Sequence, residues 1–201
     1  MKRILTAIFA LTLIMNVAQA QRPDLPGALI IDLGANVWST TPDDISLNTF
    51  QSKTVNITYF YDLPLGDSKF TFTPGIGLGL EKVSFEDNFT LTSRIDNSGA
   101  LNVAAAPLTN TVNNVFEFGK SKLGMNYIDI PLEFRFYTRK NDYSRGFRAA
   151  LGAKIGVLYS SFTKYKYEDT LGQQNMVKDR GDYGINRFRY GIQARVGFQS
   201  I

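Results

Sequence analysis

The chain has 201 residues, 44% of them hydrophobic, and contains neither cysteine nor histidine. This composition excludes disulfides, thiolate metal sites, cysteine nucleophiles and Ser-His-Asp catalysis. The formal net charge of +4 includes Lys2 and Arg3, and the charge of about +2 without them is too small to indicate nucleic-acid binding. We therefore expect a protein that is not an enzyme, with no catalytic residues, cofactor, metal site or nucleic-acid partner.

The N-terminus has the three parts of a secretory signal peptide. A basic pair at residues 2–3 precedes a mostly apolar run, Ile4–Val17, and an Ala-Gln-Ala cleavage site at 18–20. The alternative is an uncleaved membrane anchor, but the run is shorter than the roughly 20 residues that a spanning helix needs. We predict a signal peptide over residues 1–20 and one mature domain over 21–201.

Six segments of the mature chain alternate apolar and polar residues, the pattern of strands with one apolar and one polar face. They are Leu29–Val37, Lys53–Tyr61, Lys69–Leu80, Lys122–Thr138, Phe147–Tyr159 and Arg187–Gln199. In the third segment the alternation changes phase beyond Lys82, since Val83 and Phe85 are apolar at odd positions. We interpret this change as the strand leaving a membrane.

The connections between these segments alternate in length. Asp62–Ser68 and Arg139–Arg145 are short, whereas Ser39–Asn48, Glu86–Asn114 and Glu168–Asp182 are longer and polar. Outer-membrane barrels show this rhythm, with short periplasmic turns and long outer loops. We predict that Glu86–Asn114 is the longest loop or a hairpin that stands above the barrel.

These patterns predict an all-β protein, an antiparallel up-and-down transmembrane β-barrel. The large apolar faces would contact outer-membrane lipid, aromatic residues near the strand ends would lie at the two membrane interfaces, and the charged faces would line the lumen. The alternative is a soluble periplasmic barrel with the faces reversed and an apolar ligand inside. We expect that so many aromatic and aliphatic faces would overfill such a barrel.

The polar faces place four acidic and six basic residues in the lumen. They are Asp32, Glu81, Asp129, Glu133, Arg135, Arg148, Lys154, Arg187, Arg189 and Arg195. An eight-stranded barrel is just wide enough for side chains to fill, and unpaired buried charge is costly. We predict a salt-bridge network that plugs the lumen. The alternative is a narrow pore or small-ligand site with an attracting row of arginines at 187, 189 and 195.

Three glycines at positions 75, 77 and 79 lack both the spacing of a phosphate-binding loop and a following helix. Their period of two puts them on the inward face of the third strand, where they leave room for large neighbours. Asp62 and Asp67 are interpreted as solvated turn residues rather than cation ligands.

The segment Tyr127–Leu132, Tyr-Ile-Asp-Ile-Pro-Leu, and the closing segment Arg189–Phe198 resemble the PorT-like outer-membrane β-barrel family of Bacteroidetes. The resemblance implies an eight-stranded barrel in the outer membrane and no catalytic residues. One branch of that family is tied to type IX protein secretion. Because only six strands are visible, we expect either that the last hairpin is missing or that Glu86–Asn114 supplies two strands.

Taken as a whole, the sequence predicts an exported outer-membrane protein with a structural or interaction role. Its partners would be outer-membrane lipid and other envelope proteins, which its long outer loops would contact.

Overall fold

The computed structural model describes most of the mature chain. The described residues are 27–38, 45–86, 88–112, 115–139 and 145–200. The predicted signal peptide lies outside these residues, as does most of the predicted turn between 139 and 145.

The described residues are almost all in strands. The elements are β1 (Ala28–Ala35), β2 (Leu47–Phe60), β3 (Leu63–Pro64), β4 (Phe70–Phe85), β5 (Phe89–Ile95), β6 (Leu101–Pro107), α1 (Leu108–Thr111), β7 (Val115–Tyr137), β8 (Arg145–Asp169), β9 (Gln174–Arg180) and β10 (Phe188–Ser200). Each of the six predicted strands is present. The strands β2, β4, β7 and β8 are longer than the alternation alone indicated.

The long strands form one antiparallel sheet in the order β1-β2-β4-β7-β8-β10, with β3 added to β4 and β9 added to β8. The predicted all-β antiparallel architecture is confirmed. Strands β1 and β10 are the two ends of this path, and the sheet does not close through backbone pairing between them. The sheet is nevertheless curled, because Asp32 on β1 and Arg195 on β10 form an ion pair of 2.6 Å.

The segment Glu86–Asn114 contains a hairpin rather than an irregular loop. Its strands β5 and β6 pair with each other in a separate two-stranded sheet, and α1 follows directly. The expectation of a hairpin above the barrel is therefore confirmed, and the alternative of two further barrel strands is wrong. The predicted polar loop Glu168–Asp182 is also corrected, because β9 occupies its centre and pairs with β8.

The hairpins β5–β6 and β8–β9 close with the same turn, Asp-x-x-Gly. Asp96 Oδ1 accepts hydrogen bonds from the backbone N–H groups two and four residues further on, at 2.8 and 3.0 Å. Asp169 does the same at 2.9 Å in both cases. Gly99 and Gly172 follow with φ of +83° and +77°, a region that glycine adopts without strain.

The molecule has a lower half, at the end with the short turns, and an upper half, at the end with the long connections. The upper half comprises Leu47–Lys53, Lys82–Phe85, Val115–Tyr127 and Ser160–Asp169 of the long strands, together with β5, β6, α1, β9 and residues 181–187. The strands β7 and β8 have 23 and 25 residues, about twice the 9–11 that a spanning strand needs. The upper half is therefore an extension of the same sheet.

The interior of the sheet changes character between the halves. Buried side chains of the lower half are mostly polar or charged, whereas those of the upper half form an apolar cluster. That cluster contains Val83, Phe85, Phe89, Leu91, Leu123, Met125, Tyr127 and Tyr183. Hairpin β5–β6 contributes to it directly, since the rings of Phe85 and Phe89 lie 4.5 Å apart.

The change of alternation near Lys82 is a change in the chemistry of the two faces and not in the pairing of β4. The interpretation that the strand leaves the membrane there stays a prediction. Val83 is 1% exposed and continues the inward row of β4 that contains Gly79 and Glu81. The strand keeps its phase, and the chemistry of the two faces changes instead. A true shift occurs in β8, where Ser160 pairs with Asn126 and Leu158 with Tyr127, so that one residue is bulged.

Candidate functional site

An upper charge cluster lies inside the sheet around Arg189 of β10. Its Nε and Nη2 atoms lie 3.1 and 2.6 Å from the two oxygens of Asp129, a bidentate pair. Its Nη1 contacts Glu81 of β4, and Lys154 of β8 lies 3.6 Å from Asp129 Oδ2. The guanidinium also lies 3.8 Å from the ring centroid of Tyr127. This cluster of two acids and two bases connects β4, β7, β8 and β10.

A lower charge cluster is centred on Glu133 of β7, which is 0% exposed. Its Oε2 lies 2.7 Å from Arg135 Nε and its Oε1 lies 2.9 Å from Arg195 Nε. Arg195 continues to Asp32 at 2.6 Å, and Arg135 continues to Asp62 at 3.3 Å. The chain of ion pairs therefore runs from β10 to β1 in one direction and to the β2–β3 turn in the other.

Asp62 belongs to this lower cluster, so the prediction that it is a solvated turn residue is wrong. Its Oδ1 accepts a hydrogen bond from Thr73 Oγ1 at 2.7 Å, and its Oδ2 accepts one from the Tyr137 hydroxyl at 3.1 Å. The alternation predicts an inward position for Asp62, because Asp62 continues the even-numbered inward row of β2 that contains Thr58 and Phe60.

An aromatic ring and an amide complete the lower cluster. Phe60 is 0% exposed, and the guanidinium carbons of Arg135 and Arg195 lie 4.4 and 5.5 Å from its ring centroid. Gln193 Nε2 donates to Glu133 Oε1 at 2.6 Å. Cation–π contact and an extra donor help to offset the desolvation of the buried charges.

Glycines on the neighbouring strands make room for the upper cluster. A Cβ atom at Gly79 would lie 2.5 Å from Asp129 Oδ2, and one at Gly156 would lie 2.8 Å from Arg189 Nε. Both distances are shorter than any normal contact. A Cβ at Gly77 would instead meet a backbone oxygen of Ile57 at 2.5 Å. The inward placement inferred for the glycines of β4 agrees with these contacts.

The structure joins eight of the ten predicted lumen residues by ion pairs and leaves two outside. Arg148 lines a pocket of about 400 Å³ with Asp32, Arg135 and Arg195, but it forms no ion pair with another described residue. Arg187 is exposed just before β10, and its carbonyl accepts a hydrogen bond from Leu158 N–H at 2.7 Å. It forms no ion pair with another residue that the structure describes. Arg189 and Arg195 are held in ion pairs, so the hypothesised row of three arginines is not available to attract an anion.

The outward face of the lower half is apolar and strongly exposed. Ile130 is 49% exposed, and comparable aliphatic and aromatic side chains lie on β1, β4, β7, β8 and β10. They include Leu29, Ile31, Leu33, Ile76, Leu78, Ile128, Phe134, Leu151, Ile155, Tyr190, Ile192, Val196 and Phe198. A continuous belt of this size is unfavourable in water and marks contact with lipid or another apolar surface.

A model of the family described as "Outer membrane protein beta-barrel domain" matches residues 18–200. The chain belongs to this family. Family membership places the protein in the outer membrane. In such barrels an outward apolar band faces lipid, which is the position of the apolar belt. No curated protein and no solved structure is significantly similar to the chain. Within the described ranges, no helix is long and apolar enough to span a membrane.

For an outer-membrane barrel, the two clusters form the lumen of the membrane-spanning half. Five acids and four bases take part in the ion pairs, and Arg148 beside the lower cluster brings the local charge close to zero. The lumen is therefore nearly neutral rather than cationic. Its charges connect the first, middle and last strands of the sheet.

A cavity of about 1320 Å³ lies above the upper cluster. Glu81 and Arg189 line it beside apolar side chains of β5 and β7, including Leu91, Leu123 and Met125. Trp38, the single tryptophan of the chain, also lines it. Alternation does not predict this cavity, because part of its wall comes from hairpin β5–β6, which has no sustained alternation.

Proposed function

We propose that this outer-membrane barrel has a structural or interaction role, with a lumen plugged by charged side chains and no catalytic activity. The observation that carries the proposal is the lower cluster, in which Glu133 joins Arg135 and Arg195 and these reach Asp62 and Asp32. Charges held in this way cross-link the strands and occupy the space through which a solute would pass.

The absence of catalysis is supported by what the acidic residues do. General acid–base chemistry requires a group near its working pKa that can reach a substrate. Asp129 and Glu133 each face two basic side chains at 3.6 Å or less, so both carboxylates are held by cations. Without histidine or cysteine, the common nucleophile–base pairs are missing as well.

The upper half supports an interaction role at the cell surface. Its apolar interior gives the hairpin β5–β6 a packed attachment to β4 and β7. With short turns in the periplasm, this extension stands on the outer side, where other envelope proteins are the expected partners. A cleaved signal peptide over residues 1–20 would provide export.

We place the chain in the PorT-like part of the family on the segment Tyr127–Leu132. In the structure this segment carries Asp129 inward and Ile128 and Ile130 outward, so it combines a network residue with the lipid belt. An association with protein secretion is the further role that this placement suggests, through contacts of the upper half rather than through transport in the lumen.

The plugged lumen is tested by conductance. Folded wild-type protein, identified by a mobility shift on boiling, should show no steady conductance in planar lipid bilayers. The charge-neutral double substitution Asp129→Ser with Arg189→Ser should open a conducting path, because it removes the central bidentate pair. Arg187→Ser is the matched control and should remain silent. Steady wild-type conductance equal to that of the double variant would contradict the plug.

A second candidate function is the binding of a small apolar molecule in the cavity of about 1320 Å³. The apolar walls and the few polar groups at the base are typical of ligand sites. Because Trp38 is the only tryptophan, its fluorescence reports directly on this cavity. Titration with a small aromatic hydrocarbon should change that emission saturably, and Val103→Asp, which puts a charge on the wall, should abolish the change. Linear, non-saturable quenching would argue against a site.

A further inference from the structure

The outward face of the upper half carries seven lysines close to the lipid belt, here called the lysine face. They are Lys53, Lys82, Lys120, Lys122, Lys164, Lys166 and Lys178. Six of them line one pocket of about 360 Å³, together with Phe162 and no acidic residue. Within the described part of the chain, none of the seven forms an ion pair.

The register of the sheet places these lysines directly opposite one another. Lys53 pairs with Lys82 across β2 and β4, and Lys164 pairs with both Lys122 on β7 and Lys178 on β9. Like charges at opposite positions on one face are destabilising. Three such pairs side by side, with no described acid between them, indicate a surface that an external anion neutralises.

The electrostatics of Lys122 agree with this geometry. Partial burial and the positive charges of Lys120 on its own strand, Lys82 and Lys164 on the adjacent strands and Lys53 on β2 lower the pKa of its ammonium group. A neighbouring anion would remove that mutual repulsion.

The position of the lysine face indicates what the anion is. On β2 the outward row runs Tyr59, Ile57, Val55 and then Lys53, and on β4 it runs Ile76, Leu78, Leu80 and then Lys82. Successive residues on the same face of a strand are about 6.8 Å apart. The first lysines therefore lie immediately above the lipid belt. The head-group phosphates of the surrounding lipid lie at this level.

The aromatic ring inside the lysine face fits the same location. Phe162 points outward beside Gly124, and Lys178 Nζ lies 3.9 Å from its ring centroid. Aromatic rings and lysines with apolar stems are favoured together at the boundary between hydrocarbon and head groups. A face turned only to bulk water has no need for this combination.

We propose that the lysine face binds the phosphate groups of phosphorylated lipid in the leaflet around the base of the upper half. The lysines would hold the lipid against the outside of the barrel. They would thereby fix the depth of the barrel in the membrane. This inference rests on the lipid contact of the belt and not on the plugged lumen, so conductance measurements do not bear on it.

The test compares lipid binding by three variants of the full chain. One is Lys122→Gln with Lys164→Gln and Lys178→Gln, the second replaces the same lysines by arginine, and the control is Lys69→Gln with Arg94→Gln and Arg139→Gln. The control removes the same charge from exposed positions outside the lysine face. Each protein is checked for folding by its mobility shift on boiling.

Binding is measured by titrating the folded protein with mixed micelles that contain a bis-phosphorylated glycolipid. A lysine near an anionic surface contributes about five-fold in affinity, so the triple glutamine variant should bind roughly a hundred-fold more weakly. The arginine variant and the control should bind within about three-fold of wild type. Raising the salt concentration should weaken wild-type binding, because exposed charges are screened. If the triple variant fails to fold, single glutamine variants should each lose about five-fold.

Two further ligands identify the source of the phosphate. The dephosphorylated glycolipid should bind wild type no better than the triple variant does. Inorganic tripolyphosphate should bind far more weakly than the lipid, since it gains nothing from the adjacent belt. Equal affinity of wild type and triple glutamine variant would overturn the proposal. Tight binding of tripolyphosphate would overturn it too, by assigning the face to a soluble polyanion.

Discussion

The lower and upper halves of this barrel use the same strands with opposite chemistry. In the lower half the interior holds charges such as Glu133, and the exterior carries apolar residues such as Ile130. In the upper half the interior holds residues such as Val83 and Phe85, and the exterior carries lysines such as Lys82. The strand β4 makes this change within a few residues and without any change of phase.

The difference shows that the surroundings of a sheet, and not its geometry, decide which face is apolar. Where the exterior is lipid, burying an apolar side chain inside gains nothing, and the interior can hold paired charges. Where the exterior is water, the hydrophobic effect favours an apolar interior, as in a soluble protein. The soluble-barrel alternative considered from the sequence therefore describes the upper half, and the membrane-barrel prediction describes the lower half.

The comparison is tested most severely by Glu133→Leu, which puts the chemistry of the upper interior into the lower one. The substitution leaves Arg135 and Arg195 without their shared carboxylate, and breaking a buried pair in this way costs about 3–5 kcal/mol. The free energy of unfolding in lipid vesicles should fall by that amount. Glu117→Leu, an exposed position on the same strand, should change it by less than about 0.5 kcal/mol. Equal effects of the two substitutions would show that the network does not stabilise the fold.

The second test puts a cation on the exterior of each half. Ile130→Arg puts a cation into the lipid belt and should lower the free energy of unfolding by about 2–4 kcal/mol, the cost near the middle of a bilayer. Phe116→Arg makes the same kind of change on β7 in the upper half, where Phe116 is 75% exposed, and should be nearly neutral. If Ile130→Arg folds normally in membranes, the position of the belt assigned here is wrong.

Much of the lower half could be predicted from the sequence, because strict alternation needs only the geometry of a strand. The pairs around Asp129 and Glu133 follow from it, since both residues lie on the inward face of β7. Asp62 could not be assigned by alternation alone, because it is the first residue of a segment with the composition of a turn. Arg187 was included because the alternation does not show where a strand begins.

The upper half could not be predicted in the same way. Its interior includes contacts between segments far apart in the chain, such as the hydrogen bond between Thr163 and Tyr183. Hairpin β5–β6 lacks a sustained alternation because, outside its contacts with the cluster, both its faces meet solvent. The bulge between Leu158 and Ser160 also reverses the phase of β8, so a single alternating pattern cannot describe that strand.

A third and smaller test removes two methyl groups from each half. Val83→Ala should cost about 2 kcal/mol, because a side chain that is 1% exposed leaves a cavity in a water-surrounded apolar core. Val157→Ala on the lipid belt should cost clearly less, since lipid chains can fill the space. Unfolding in lipid vesicles measures both. A larger loss for Val157→Ala would show that the lipid-facing side chains of the lower half stabilise the fold more than the apolar interior of the upper half does.

The smallest expected effect concerns the turn of hairpin β8–β9, which belongs wholly to the upper half. Hydrogen bonds from the backbone N–H groups of Gln173 and Leu171 lower the pKa of Asp169 below its ordinary value. The ionised form is thus favoured in the folded turn. Its stabilisation is complete above the unfolded-state pKa of about 4 and is lost as the pH falls through the lower folded-state value. Amide hydrogen exchange at Gly172 should speed up over that acidic range, beyond the intrinsic pH dependence of exchange, while amides of β10 in the lower half should show no such excess. The variant Asp169→Asn should remove this pH dependence, and an unchanged profile in the variant would assign the effect to another group.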